Sequence, residues 1–270
     1  MAEECTHECS SCGKGCSGAK NAFAVPLNAA SKVGKVIAVA SGKGGVGKSF
    51  VTSMLAVAAA KKGLKTGILD ADITGPSIPL AFGIAPGARQ GEHGIEPAVT
   101  TAGIRIISLN MLVEEATEPV VWRGPVIAGV VKQFWSDVHW GDLDVVFVDM
   151  PPGTGDVPLT VFQSLPVDGV VVVSSPQELV GMIVAKAVRM AGMMGKPVVG
   201  LVENFAFMKC PGCGKKVFPF GEPRSDELAK RFSIPFTAQL PVDPAFSAAV
   251  DAGAAETLDI AALDPLVSSL

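Results

Sequence analysis

The sequence predicts an α/β protein built on a doubly wound, mostly parallel sheet. Three observations carry that expectation. Short aliphatic runs alternate with helix-length segments along the chain. A glycine loop joins the first such run directly to an Ala-rich segment, 48–62, that contains neither Gly nor Pro. Acidic residues and glycines gather just after the runs, where open α/β sheets place their ligands.

The first run is Lys35–Ala40, and the loop after it reads Gly42-Lys43-Gly44-Gly45-Val46-Gly47-Lys48-Ser49. This fits G-x-x-x-x-G-K-[ST], in which backbone N–H groups wrap nucleotide phosphates. A strand, a glycine turn and a helix start bring those amides and the positive end of the helix dipole to one place. Lys48 is expected to reach the β- and γ-phosphates, and the Ser49 hydroxyl to ligate Mg²⁺. The nucleotide-binding set is then Gly42, Lys43, Gly44, Gly45, Val46, Gly47, Lys48, Ser49 and Phe50.

The next strand, Thr66–Leu69, ends in Asp70-Ala71-Asp72-Ile73-Thr74-Gly75-Pro76-Ser77. Carboxylates beside a phosphate site can hold the waters of Mg²⁺ or orient an attacking water. Asp72 is expected to position that water, with Asp70 in the outer shell of the metal; the alternative role is to cap the short helix that follows. Residues 84–110, punctuated by Gly and Pro, predict a hairpin closing with Gly103–Leu109. A helix is expected from Trp122-Arg123-Gly124-Pro125, with Arg123 in a structural salt bridge or, as the alternative, in contact with switch elements or a partner subunit. Asp144–Asp149 reads as a central strand whose final carboxylate, Asp149, holds Mg²⁺ through water. It runs into Met150-Pro151-Pro152-Gly153-Thr154-Gly155-Asp156, where glycines let amides such as that of Gly153 approach a γ-phosphate and reorient when it leaves. Strands Val170–Val173 and Val198–Val202 flank a Met-rich helix over 177–194, its methionines read as core filler.

The six cysteines sit in two places. Cys5, Cys9, Cys12 and Cys16 lie in a Cys-, Ser- and Gly-rich tail, residues 1–20, too poor in apolar side chains to fold by burial. Four thiolates so closely spaced suit an iron–sulfur cluster, with zinc as the competing occupant. Residues 21–34 read as a linker, and 35–270 as the nucleotide-binding domain. Within it, Cys210-Pro211-Gly212-Cys213-Gly214-Lys215 is half of a four-thiolate site. Three completions are open: Cys9 and Cys12 folding back around zinc, a disulfide, or a second subunit supplying two thiolates to a bridging cluster. Such clustering fits metal ligation in a reducing cytoplasm better than a disulfide framework.

With 49% apolar and 18% charged residues, the 270-residue chain is expected to hold one sizeable core. A net charge of −4, with no Lys or Arg after Arg231, argues against broad nucleic-acid binding. No apolar run approaches a membrane span, and the start Met-Ala-Glu-Glu-Cys lacks a secretory pattern, so a cytoplasmic protein is expected.

The form G-K-G-G-x-G-K-S, with Lys43 after the first glycine, resembles the deviant P-loop of the MinD/ParA/nitrogenase-iron-protein ATPases. That resemblance implies a homodimer with ATP at the interface and Lys43 reaching the partner's nucleotide. GKGGVGKS, DADITGPS, WRGP, DMPPGTGD and VENFAFMKCPGC, in this order, resemble more narrowly the Mrp-type iron–sulfur cluster carrier ATPases. These are relatives of the ApbC proteins and of the eukaryotic cytosolic nucleotide-binding scaffolds. The likeness covers about residues 30–250. It implies a [4Fe–4S] cluster bridged between two Cys210/Cys213 pairs, delivered to apo-proteins after loading by a cluster donor, with ATP hydrolysis driving the cycle. It also implies Asn204 near the adenine, with Pro241-Val242-Asp243 as the other wall of the base pocket. The tail departs from the eukaryotic pattern, whose four cysteines are more widely spaced.

Two other classes compete. A MinD- or ParA-like positioning ATPase would need a basic or amphipathic surface, which the late part of this chain lacks, and would leave Cys210 and Cys213 without a role. A zinc-stabilised regulatory ATPase would carry no cluster at all.

Overall fold

The structure, a computed structural model, describes residues 23–72, 77–85, 87–112, 124–153, 155–177 and 180–270. In chain order its elements are β1 (Lys32–Ser41), α1 (Lys48–Lys61), β2 (Thr66–Asp70), α2 (Ser77–Ala81), β3 (Arg89–Gly91), β4 (Gly94–Glu96), β5 (Ala98–Val99) and β6 (Arg105–Ser108). Then come α3 (Gly124–Ser136), β7 (Asp142–Asp149), α4 (Asp156–Ser164), β8 (Gly169–Ser174), α5 (Val180–Met193), β9 (Val198–Lys209) and β10 (Lys216–Val217). The chain ends with α6 (Ser225–Phe232), β11 (Thr237–Pro241), α7 (Pro244–Asp251) and α8 (Asp264–Ser268).

The main sheet has the order β10-β9-β8-β1-β7-β2-β6-β5, with β11 also pairing β9. Strands β6, β2, β7, β1, β8, β9 and β11 run parallel, while β5 and β10 are short antiparallel additions at the edges. The central strands are buried on both faces, as parallel strands under helices are. Successive side chains alternate between two cores. Val36, Ala38 and Ala40 of β1 join Val146 and Val148 of β7 under α3, α4 and α5. Ile37 and Val39 join Val145 and Phe147 under α1 and α8. Helix α1 is buried on nearly every side, which its run of Ala, Ser and Thr permits by letting backbones approach closely.

The expected doubly wound parallel sheet is present. Four local expectations change. β1 starts at Lys32, and the residues before it pack on the domain: the Val25 amide donates to the Ser164 carbonyl, and Val25 and Leu27 cover the first core. Residues 84–110 do not form one hairpin. β3 and β4 make a separate two-stranded hairpin, and Arg105–Ser108 joins the main sheet parallel to β2, because Ile104, Ile106 and Ile107 are apolar enough to be fully buried there. β9 continues beyond Val202 to Lys209, so Cys210 stands at the tip of a core strand. In α5, Met190 is buried, and Met194 just after it packs on the core, but Met182 and Met193 are exposed. The four tail cysteines, Ile73–Pro76, Trp122, Arg123 and Thr154 lie outside the described residues.

Candidate functional site

The site is built at the carboxyl ends of β1, β7, β2 and β9. β1 delivers the chain to Gly42, and α1 begins at Lys48 with Gly47 at the N-cap position, where no side chain caps the helix. Gly45 and Gly47 both have φ of 78°, a left-handed conformation that costs Gly nothing and other residues about 1–2 kcal/mol. At Gly47 there is also no room: a β-carbon would stand 2.2 Å from Asn204 Nδ2. The loop therefore turns its amides, with the first free N–H groups of a 14-residue helix, into one concave wall.

Under that wall lies a compact charge cluster. Lys48 Nζ is 2.8 Å from Asp149 Oδ2 and 3.2 Å from Asp72 Oδ2. Burial alone lowers the Lys48 pKa; the charges of Asp149, Asp72 and Asp70 and a hydrogen bond to Asp149 outweigh it, so the ammonium is held charged above its ordinary range. Ser49 Oγ donates to Asp149 Oδ2 at 2.6 Å and Thr52 Oγ1 to Asp149 Oδ1 at 2.7 Å. Asp70, the register partner of Asp149, accepts from Ser108 Oγ at 2.7 Å and from the Asp72 amide at 3.0 Å. Complete burial, and then the charge of Asp149, push its pKa up to about 8. Asp70 thus braces Asp72 with Oδ1, while Ser108 holds Oδ2. Ser49 and Asp149 form an oxygen-only donor pair, which suits a hard divalent cation such as Mg²⁺.

Two cavities adjoin here, sharing Gly47, Phe50 and Val250. One, of about 340 Å³, is walled by the loop Gly44–Ser49 with Asp72 and Pro152. The other, of about 520 Å³, is lined by Asn204, Phe205, Pro241, Val242 and Phe246. The first offers amides and an ammonium to phosphates. The second offers apolar walls to a flat base, with Phe50 and Phe246 stacked 5.5 Å apart at its side. Asn204 is buried and donates from Nδ2 to the Val46 carbonyl at 3.1 Å, tying the base cavity to the phosphate loop.

β9 reaches this cavity through a bulge. Against β11, Glu203 pairs with Gln239 and Phe207 with Pro241, so four steps on β9 face two on β11. Within the bulge Phe205 has φ of 60°, a left-handed backbone that stores about 1–3 kcal/mol of strain for a bulky side chain. Beyond it the strand ends in a knuckle. The Cys210 amide donates to the Lys215 carbonyl at 2.9 Å, the Gly214 amide donates to the Cys210 carbonyl at 2.8 Å, and β10 folds back onto Met208 and Lys209. Cys210 is half-buried and Cys213 exposed, both as free thiols. Amides of Cys213 and Gly212, and then the Cys213 side chain, lower the Cys210 pKa. Among the described residues, no three or more His, Cys, Asp or Glu side chains converge on a metal-sized space.

The structure thus brings Lys48, Ser49, Asp70, Asp72 and Asp149 into one cluster, and Asn204 and Pro241 into the adjoining cavity. Lys43 borders the phosphate cavity, but its ammonium is hydrogen-bonded to Gln177 Oε1. The Gly153 amide, expected at a γ-phosphate, donates instead to the Ser41 carbonyl at 2.9 Å, and Pro152 borders the cavity. Sequence reasoning did not find Thr52, Ser108, Phe205 or Phe246. Thr52 was within reach, one helical turn after Lys48 on the same face. Ser108 was marked only by its place at a strand's carboxyl end. Phe246 comes to the cavity through long-range packing and carries no local signal.

Comparisons with known proteins agree with this geometry. Residues 32–264 match the profile described as ParA: NUBPL iron-transfer P-loop NTPase. The chain is 44% identical to an iron–sulfur cluster carrier protein of Clostridium perfringens, over 97% of this chain and 94% of that protein. It is 41% identical to one of Methanococcus maripaludis, over 94% and 90%. Among solved structures it resembles the nucleotide-binding protein of Archaeoglobus fulgidus in complex with ADP, with a TM-score of 0.78 and 43% identity over 86% of this chain and 91% of that one. The cell-division ATPase MinD of Pyrococcus furiosus shares the fold, with a TM-score of 0.60 at 18% identity over 87% and 95% of the two chains. A phosphate loop on the central strand, a buried lysine among three carboxylates and a profile match over most of the chain place this protein in the NUBPL iron-transfer P-loop NTPase family.

Proposed function

We propose that this protein is an ATP-driven iron–sulfur cluster carrier, in which two copies hold one [4Fe–4S] cluster between their Cys210/Cys213 pairs and pass it to apo-proteins. The observation that carries this reading is the position of the two thiols: an exposed knuckle at the tip of the strand that also walls the nucleotide cavity. Two thiolates from one chain are half of the usual ligand set of a cubane cluster, and a second copy supplies the rest. A site shared between subunits and open to solvent suits cargo that must leave. The names of the Clostridium and Methanococcus relatives support the cargo, and the ADP in the Archaeoglobus structure supports the nucleotide.

In the reaction, the loop amides and Lys48 bind and neutralise the phosphates, and Asp72 orients the water that takes the γ-phosphoryl group, leaving ADP and phosphate. Ser49 and Asp149 would hold Mg²⁺, with Asp70 bracing the outer shell; the ion supplies charge neutralisation at the phosphates. Lys43 would leave Gln177 to reach the nucleotide of the second copy. Gly153, released from Ser41, would offer its amide to the γ-phosphate. The tail cysteines, Cys5, Cys9, Cys12 and Cys16, would hold a second cluster. No helix among the described residues is long and apolar enough to cross a membrane, and the carrier is read as acting in the cytoplasm.

The test is iron, acid-labile sulfide and zinc per subunit after anaerobic purification, on the parent and on a Cys210→Ala/Cys213→Ala variant. The parent is expected to hold iron and sulfide, and the variant to lose the share of one cluster per dimer; iron left in the variant reports the tail. Stoichiometric zinc without sulfide in both proteins would overturn the carrier reading in favour of a zinc-stabilised ATPase.

A further inference from the structure

We propose that Phe205 is the positioning residue that transmits nucleotide occupancy to the cysteine knuckle, acting through the ring of Phe220. This rests on the nucleotide-driven carrier reading and names the part of the chain that would do the driving.

Phe205 stands between the nucleotide cavity and the segment that follows the cysteine knuckle. It lines the base cavity, and its Cζ lies 3.5 Å from where a β-carbon on Gly47 of the phosphate loop would be. On the other side its ring meets that of Phe220 edge to face, with centroids 6.5 Å apart. Phe220 belongs to the segment between the knuckle and α6. That segment is anchored at both ends. At its start, β10 pairs with Met208 and Lys209 directly before Cys210. At its end, the buried Glu203 carboxylate accepts the amides of Arg224 at 2.9 Å and Ser225 at 2.8 Å, fixing the first turn of α6. Glu203, Asn204 and Phe205 are consecutive residues. One bulge therefore holds the end of the cysteine segment, the phosphate loop and the base cavity.

Coupling needs an element with two discrete arrangements, and the backbone of Phe205 is suited to be one. Its left-handed conformation is strained for an aromatic residue, whereas the rest of β9 is extended. A base packed in the cavity touches the Phe205 ring and favours one arrangement. The other arrangement turns the ring and shifts the edge on which Phe220 rests. Nucleotide occupancy then changes the exposure and mobility of Cys210 and Cys213 with no contact between nucleotide and thiol.

The experiment uses the full-length, reduced, cluster-free protein at concentrations where sedimentation shows monomers. Alkylation rates of Cys210 and Cys213 by iodoacetamide are measured by peptide mass spectrometry, with and without Mg-ADP, and ADP affinity is measured alongside. In the parent, ADP is expected to change the rates by roughly fivefold or more. Phe220→Ala is expected to keep the parent's ADP affinity while this ratio falls to about one, and Phe220→Tyr, which keeps the ring, to restore it. A parent-like ratio in Phe220→Ala would overturn the proposal. So would a parent that binds ADP with unchanged thiol reactivity, and in that case the nucleotide site itself would stand. A parent that binds no ADP would overturn the ATPase reading together with the coupling.

Discussion

Lys48 has its charge answered within the fold, by Asp149 at 2.8 Å and Asp72 at 3.2 Å. A phosphate group entering the loop competes for that ammonium with carboxylates. Replacing it removes the buried ammonium that the loop offers to the phosphates, so Lys48→Ala is expected to lower ATP turnover by about 10²-fold or more, read as phosphate release. The same change leaves buried carboxylates without their cation and should lower stability by about 3 kcal/mol; a denaturant melt separates the two effects. Asp70 gives a pH dependence of opposite character. Its folded pKa, near 8, lies above its ordinary value of 3.8, so between those values the folded state holds a proton that the unfolded chain releases. That contribution to stability is present at low pH and is lost as pH rises toward 8. In urea titrations without nucleotide, Asp70→Asn is expected to flatten the decline between pH 5 and pH 8 (values about the window set by this shift). The residue pattern made Lys48, Ser49, Asp72 and Asp149 legible, because each follows a strand or opens a helix in a motif with a mechanism. What holds Asp70 in place was not legible: it is Ser108, which arrives from a strand thirty-eight positions away.

At the scale of elements, the loop and the bulge interlock through Gly47 and Asn204. Gly47→Ala combines a left-handed φ of 78° with a β-carbon 2.2 Å from Asn204 Nδ2. It should abolish measurable nucleotide binding by calorimetry while far-ultraviolet circular dichroism stays unchanged. Glu203 is a cap supplied from a neighbouring strand rather than from the helix's own flank. Glu203→Ala would strand the amides of Arg224 and Ser225 and is expected to cost about 2 kcal/mol, with faster proteolysis between Val217 and Arg224. The strand–loop–helix unit at 35–62 was readable because its periodicity, glycines and length agree. The true end of β9 was not. Asn204, Phe205 and Ala206 interrupt any alternating pattern, and only pairing with β11 and β10 carries the strand on to Lys209.

For the whole molecule, the sign and distribution of charge bear on function. The net charge is −4 and the last thirty-nine residues hold no Lys or Arg, so no salt-dependent retention on DNA or heparin is expected. Retention at low salt that disappears with added salt would favour a positioning ATPase. The sheet order adds a last consequence. The phosphate loop leaves β1, which is flanked on both sides by β7 and β8 in the middle of the sheet, whereas the cysteine knuckle joins the end of β9 to β10, a two-residue strand at the edge. Local opening free energies follow such differences in burial and pairing. Hydrogen exchange should therefore find the amides of Val36–Ala40 protected almost to the limit of global unfolding, and those around Lys216 and Val217 exchanging orders of magnitude faster. Under the carrier reading proposed above, a knuckle that frays on its own time scale would let its cargo go while the nucleotide-binding core stays folded, so repeated rounds of delivery would not put the rest of the molecule at risk.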